Sequence, residues 1–114
     1  MLRPLSFQTT DWSQISKTIH PGTTGVAYWQ TLQFEGLRVR MVEYSPGYLA
    51  DHWCTKGHIV YCIKGEMVSE LQDGREFVLS AEMTYQVSDD VSSHRSKTLG
   101  GCLLLIIDGA FLGA

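Results

Sequence analysis

Apolar and polar positions alternate with period two along most of this chain, and stretches of helical period are scarce. Residues 24–34 (TGVAYWQTLQF) read as one extended run. Glu35-Gly36 turns it, and Leu37, Val39 and Met41 then alternate with Arg38, Arg40 and Val42 up to Tyr44. Ser45-Pro46-Gly47 breaks that run, and extended structure resumes over 48–55. After Lys56-Gly57 comes HIVYCI (58–63), rich in β-branched and aromatic residues, and Lys64-Gly65 leads into a strand over 66–71. Asp73-Gly74 is the strongest hairpin signal, because Asp-Gly suits a two-residue type I′ turn, and 76–79 closes that hairpin. Strands are also predicted over 83–87, 94–98 and 101–108, with the polar segment 88–93 joining the first two. Short strands with turns every roughly eight to twelve residues predict an all-β sandwich or barrel. The one helical expectation is a single turn within 10–16, capped by Thr10 or Asp11.

Composition narrows the class. At 114 residues the chain makes one domain with an ordinary core, and 44% hydrophobic with 18% charged residues describes a soluble globular protein. Residues 1–23 are expected to form an N-terminal arm that packs on the barrel or on a partner subunit, and 24–114 the barrel itself. A net charge of -3 with scattered Lys and Arg offers no basic patch, so neither nucleic acid nor membrane is the expected partner. The apolar run 102–107 is far too short to span a bilayer, and the first residues lack the apolar core of a signal peptide. The odd count of 3 cysteines reads as reduced thiols in a cytoplasmic protein.

Candidate chemistry is concentrated in four side chains: His52, Cys54, His58 and, much later, His94. Imidazole and thiolate are the usual ligands of zinc and of borderline first-row metals. On a strand, His52 and Cys54 would leave the same face, and Gly57 allows the turn that returns His58 towards them. Only a closed or double-layered sheet could bring His94 to the same place. Two roles stay open for Cys54: a thiolate ligand, or a neutral thiol packed beside a three-histidine site. Asp51 could take an imidazole N–H, although alternation turns it, like Trp53, to the other face. His20, before Pro21-Gly22, reads as a loop residue. Met41, Cys62 and Tyr85 are candidate pocket-lining residues, with Cys62 below His58 on the same strand face.

The run from Gly47 to Gly65 resembles the first cupin motif, G-x5-H-x-H-x3/4-E-x6-G. Gly47 opens it one residue early, His52 matches the first histidine, Cys54 stands for the second, and His58 stands for the glutamate. The segment 79–95 resembles the second motif, with His94 as its histidine, Ser88 and Asp90 in place of the proline and second glycine, and one extra residue before His94. Asp51-His52-Trp53-Cys54 is further similar to small single-domain cupin-fold proteins with a DHCW motif. The resemblance covers roughly 35–108. It implies a double-stranded β-helix, the cupin jelly-roll barrel, with a divalent transition metal (zinc, iron or nickel) near one mouth.

Two classes of function follow. In the first, the metal acts as a Lewis acid on an oxygen of a small organic molecule, or with iron activates dioxygen; an enzyme of this kind would be an oxygenase, isomerase or lyase. In the second, Cys54 closes a four-ligand site, or the metal is absent, and the domain is a non-catalytic binding module. Edge strands, and the aromatic side chains of Trp29 and Trp53 needing cover, favour a homodimer.

Overall fold

A computed structural model describes residues 4–113 and contains eight strands: β1 (Thr18–Pro21), β2 (Val26–Phe34), β3 (Leu37–Tyr44), β4 (His58–Leu71), β5 (Glu76–Ser80), β6 (Thr84–Val87), β7 (His94–Lys97) and β8 (Cys102–Gly109). All pairings are antiparallel, in the order β1-β2-β3-β8-β4-β5, with β6 and β7 also on β4. Among the described residues, helical structure is limited to two 3₁₀ turns, Trp12–Gln14 and Ala110–Leu112. Asp11 caps the first by accepting from Ser13 N–H, as its position before a short polar turn predicts. No helix among the described residues is long and apolar enough to cross a membrane.

Strand β4 joins the two sheets. Its first residues pair with β6 and β8, and its last with β5 and β7. The two strands expected over 58–63 and 66–71 are therefore one, bent at a register shift between Cys62 and Lys64. Gly65 sits at this corner with φ +81, and a Cβ there would lie 2.4 Å from the Gly101 carbonyl oxygen. The corner thus needs glycine twice over, for its backbone angle and for the close approach of β8.

Residues 18–21 of the N-terminal segment pair with β2 as β1. Two other expectations change. Between β4 and β5 the loop is one residue longer than a two-residue turn: Leu71 N–H bonds Arg75 O, and only Gly74, not Asp73, takes a positive φ. A type I′ turn would need both. Residues 48–55 hold only isolated bridges, Leu49 with Thr24 and Lys97 and Cys54 with His94, and the chain bends at Asp51-His52.

The core lies between the sheets. On β8, Cys102, Leu104, Ile106 and Asp108 are buried in strict alternation, while Leu103, Leu105 and Ile107 are half-buried on the outer face. Met67, Val42, Val60 and Cys62 join Leu104 and Asp108 as the largest fully buried side chains. The same inward rows that carry Val42, Ile106 and Val60 continue to Arg40, Asp108 and His58. One end of an apolar core thereby becomes polar.

Candidate metal centre

The isolated bridge fixes two of the candidate residues. Cys54 N–H bonds His94 O at 2.8 Å and His94 N–H bonds Cys54 O at 3.0 Å. Residues opposed in such a pair project to the same side, so the thiol and the imidazole meet. His58 arrives from the start of β4 after Gly57, whose N–H bonds the Asp89 carboxylate at 2.6 Å. Asp90 N–H bonds Thr55 O at 2.8 Å, which ties the 54–57 segment to the loop leading into β7. One ligand atom from each of Cys54, His58 and His94 lies within 4.8 Å of the other two.

Hydrogen bonding sets the orientation of both rings. His58 Nδ1 lies 2.8 Å from Asp108 Oδ2, and His94 Nδ1 lies 3.0 Å from the Ser92 carbonyl. A carbonyl and an ionised carboxylate only accept, so each Nδ1 carries a proton and each ring, when neutral, presents its Nε2 lone pair. His58 Nε2 is 3.6 Å from Cys54 Sγ. His94 Nε2 is buried without a hydrogen-bond partner among the described residues. Two lone pairs and a sulfur facing one spot, with each ring held from behind, is the arrangement of metal-ligating histidines. An ion bonded at ~2.0–2.3 Å needs donors roughly 3–4 Å apart, a small contraction of this triad.

Electrostatics favour the same chemistry. The adjoining imidazole of His58, and after it that of His94, outweighs burial and lowers the Cys54 thiol to about 5, so the sulfur is a thiolate at neutral pH. Burial works against a charged His58, but Asp108 and Cys54 overcome it and raise its pKa. Burial would likewise push Asp108 up, yet hydrogen bonds from His58 and Arg38 and the charge of Arg40 hold it far below the ordinary carboxylate range. Asp108 is only 1% exposed and receives Arg38 through both oxygens at 2.9 Å, Arg40 at 3.1 Å and His58 at 2.8 Å.

His52 stands outside this group. Its side chain is 73% exposed and its Nδ1 lies 2.7 Å from the Asp51 carboxylate. The bend at 51–52 removes the strand geometry that would have set His52 beside Cys54. Asp51 therefore does take an imidazole N–H, but that of the solvent-facing ring. His20 is on β1, not in a loop, and stacks on Trp29 with ring centroids 3.7 Å apart.

The triad opens on a cavity of about 230 Å³ between the sheets, lined by Trp29, Tyr44, Tyr48 and Tyr85 among others. Met41 is not in it; the residues facing inward from β3 are Arg38, Arg40, Val42 and Tyr44, and Met41 lies in a groove on the opposite face with Tyr28 and Gln30. Cys62 is not in it either: it is fully buried in the core, its thiol directed to the carbonyls of Lys64 and Gly65. Tyr85 does line the cavity, its ring edge-on to His94. Asp108, Arg38 and Arg40 escaped the sequence reading. Their signal was present as two arginines at i and i+2 on an alternating strand, and as an aspartate closing the apolar row Cys102-Leu104-Ile106.

An all-β double-stranded β-helix with a Cys/His donor cluster at one mouth defines the class: the chain has the cupin fold. It superposes on an RmlC-like cupin from Shewanella frigidimarina with a TM-score of 0.74 at 18% identity, covering 91% of each chain. Ectoine synthase from P. lautus matches with a TM-score of 0.73 at 16% identity, over 90% of this chain and 78% of the other. A cupin-like protein from Thermotoga maritima matches with a TM-score of 0.67 at 17% identity, over 80% and 74%. No family model matches the sequence, and no curated protein matches it significantly.

Proposed function

We propose that this chain is a small metal-binding cupin that holds a divalent transition metal through Cys54, His58 and His94 and receives a small organic molecule in the adjoining cavity. The observation that carries the reading is the buried, unpartnered Nε2 of His94, aligned with a second imidazole lone pair and a thiolate. An unpaired buried nitrogen costs about 1–3 kcal/mol, which a ligated ion would offset. The thiolate favours zinc or iron(II) over hard, oxygen-seeking cations. A bound ion would supply a Lewis-acid position, and three protein donors leave that position open towards the cavity. His52 stays outside, so the closed four-ligand alternative lacks its fourth donor in this conformation.

The chain's own residues divide the remaining work. Asp108 orients His58 and is itself fixed by two arginines. Trp29, Tyr44 and Tyr48 give the cavity apolar walls that limit water. In a thermal melt of chelator-treated protein, zinc at a free concentration a hundredfold above its Kd is expected to raise Tm by several degrees or more, the linkage there being ~2.7 kcal/mol. No shift with zinc, iron(II) or nickel would sink the reading.

A second reading has its own observation. Cys54, His58 and Asp108 are connected as a nucleophile, a base and an orienting acid, through the 3.6 Å and 2.8 Å contacts given above. A metal-free thiol chemistry would use the same atoms, and the two readings part at Cys54 substitutions.

Assembly as a homodimer belongs to the proposal. Trp29 and Trp53 give it no support, because Arg40 lies 4.3 Å over the first ring and Arg95 4.6 Å over the second. The better candidate surface is the outer face of β3-β8-β4, where Met41, Leu105 and Tyr61 are in register beside Val39, Ile107 and Ile59. Sedimentation velocity is expected to give a dimer at micromolar concentration, with Leu105→Lys shifting it to monomer. A wild-type monomer at every concentration would refute this.

A further inference from the structure

The cavity beside the triad is lined by Arg38, Arg40, Lys56 and Arg95 and, among the described residues, by no aspartate or glutamate. This is unexpected in a chain of net charge -3. Glu70 pairs with Arg95 at 3.3 Å, and Asp108, behind the wall, compensates only part of the remaining charge, because Arg38 occupies both of its oxygens and Arg40 must share one of them with His58. Arg40 is 4% exposed, yet its Nε has no hydrogen-bond partner among the described residues. Burial and the neighbouring Arg38 both lower its pKa, so the like charges strain one another. A buried, under-bonded guanidinium is costly unless something anionic completes it.

We propose that the Arg40 wall is a carboxylate-binding subsite, and that the molecule this cavity takes is a small organic acid. Arg40 and His58 donate to the same Asp108 oxygen, so the subsite and the triad are two hydrogen bonds apart. A short acid anchored on Arg40 therefore reaches the triad with a second polar group. Trp29, stacked under the guanidinium, holds that fork in one orientation and covers the acid's carbon skeleton. The aromatic walls favour an organic acid over a bare inorganic anion. The subsite rests on the cavity being the ligand site, but not on the metal donors.

The test is isothermal titration of chelator-treated protein with malonate, uncharged malonamide and inorganic phosphate. Malonate is expected to bind at least tenfold more tightly than either of the others. Arg40→Lys keeps a charge opposite Asp108 while losing the planar fork, and is expected to weaken malonate several-fold without a large change in Tm. Malonamide equal to malonate, or no binding by any probe, overturns the subsite. Phosphate ahead of malonate overturns the choice of carboxylate. Failure here with intact zinc binding leaves the metal reading standing, and malonate binding without zinc binding does the reverse.

Discussion

Asp108→Asn is expected to destabilise the protein by about 3–5 kcal/mol, the cost of removing one partner from a buried ion pair. In a domain of this size that corresponds to a fall in Tm on the order of 10–20 °C. The substitution leaves Arg38 and Arg40 facing an uncharged amide, which cannot accept from both arginines and His58 through charged oxygens. The sign of the pH dependence follows from the shifts. Asp108 is depressed, so its contribution is complete above its unfolded pKa, about 3.9, and is lost as pH falls through the lower folded value. His58 is raised, so its contribution is complete below about 6.5 and is lost as pH rises through the higher folded value. The gap between wild type and Asp108→Asn should therefore be widest between about pH 4 and 6.5 and narrow on both sides. Urea denaturation across that range measures it. A variant within about 1 kcal/mol of wild type throughout would mean that the arginines find other partners at little cost.

That network was the least legible part of the molecule, for a physical reason. Period-two alternation reveals which residues share a face but not which face is inside. Leu37, Val39 and Met41 are the more apolar set on β3, and hydrophobicity alone turns them inward. The structure turns Arg38, Arg40 and Val42 inward instead, because Asp108 on β8 and His58 on β4 complete a polar layer that no single strand discloses. The reading of the strands themselves fared better, since Glu35-Gly36 and Asp73-Gly74 mark real reversals. Gly65 has the look of a break in sequence, whereas its positive φ inside one long strand makes a corner. His52 was legible as a residue type but not as a placement. Its neighbourhood looked extended, and only a bend at Asp51-His52 decides that its ring faces solvent. Cys54, His58 and His94 converge through a two-residue bridge and a loop clasp at Gly57 and Asp89, contacts too sparse to leave a periodic trace.

Cys54→Ala is expected to lower zinc affinity by more than the ~10–100-fold that loss of an orienting partner costs, because it deletes a donor outright. Cys54→His separates the two chemistries that the triad permits. Histidine stands at this place in the motif that the segment resembles, and the bridge to His94 would still project its ring towards the other two. Zinc binding should therefore survive in Cys54→His, whereas any activity that depends on a sulfur nucleophile should vanish. Iodoacetamide gives an independent readout on the wild type. Of the 3 thiols, Cys62 and Cys102 are buried with raised pKa values, while Cys54 is half-buried and ionised near neutrality. Metal-free protein should be alkylated first at Cys54, and stoichiometric zinc should protect that one sulfur. If zinc leaves the alkylation rate unchanged and Cys54→Ala binds zinc as wild type does, the sulfur is no ligand. The relay from Asp108 through His58 would then have a nucleophile, rather than a metal, at its end.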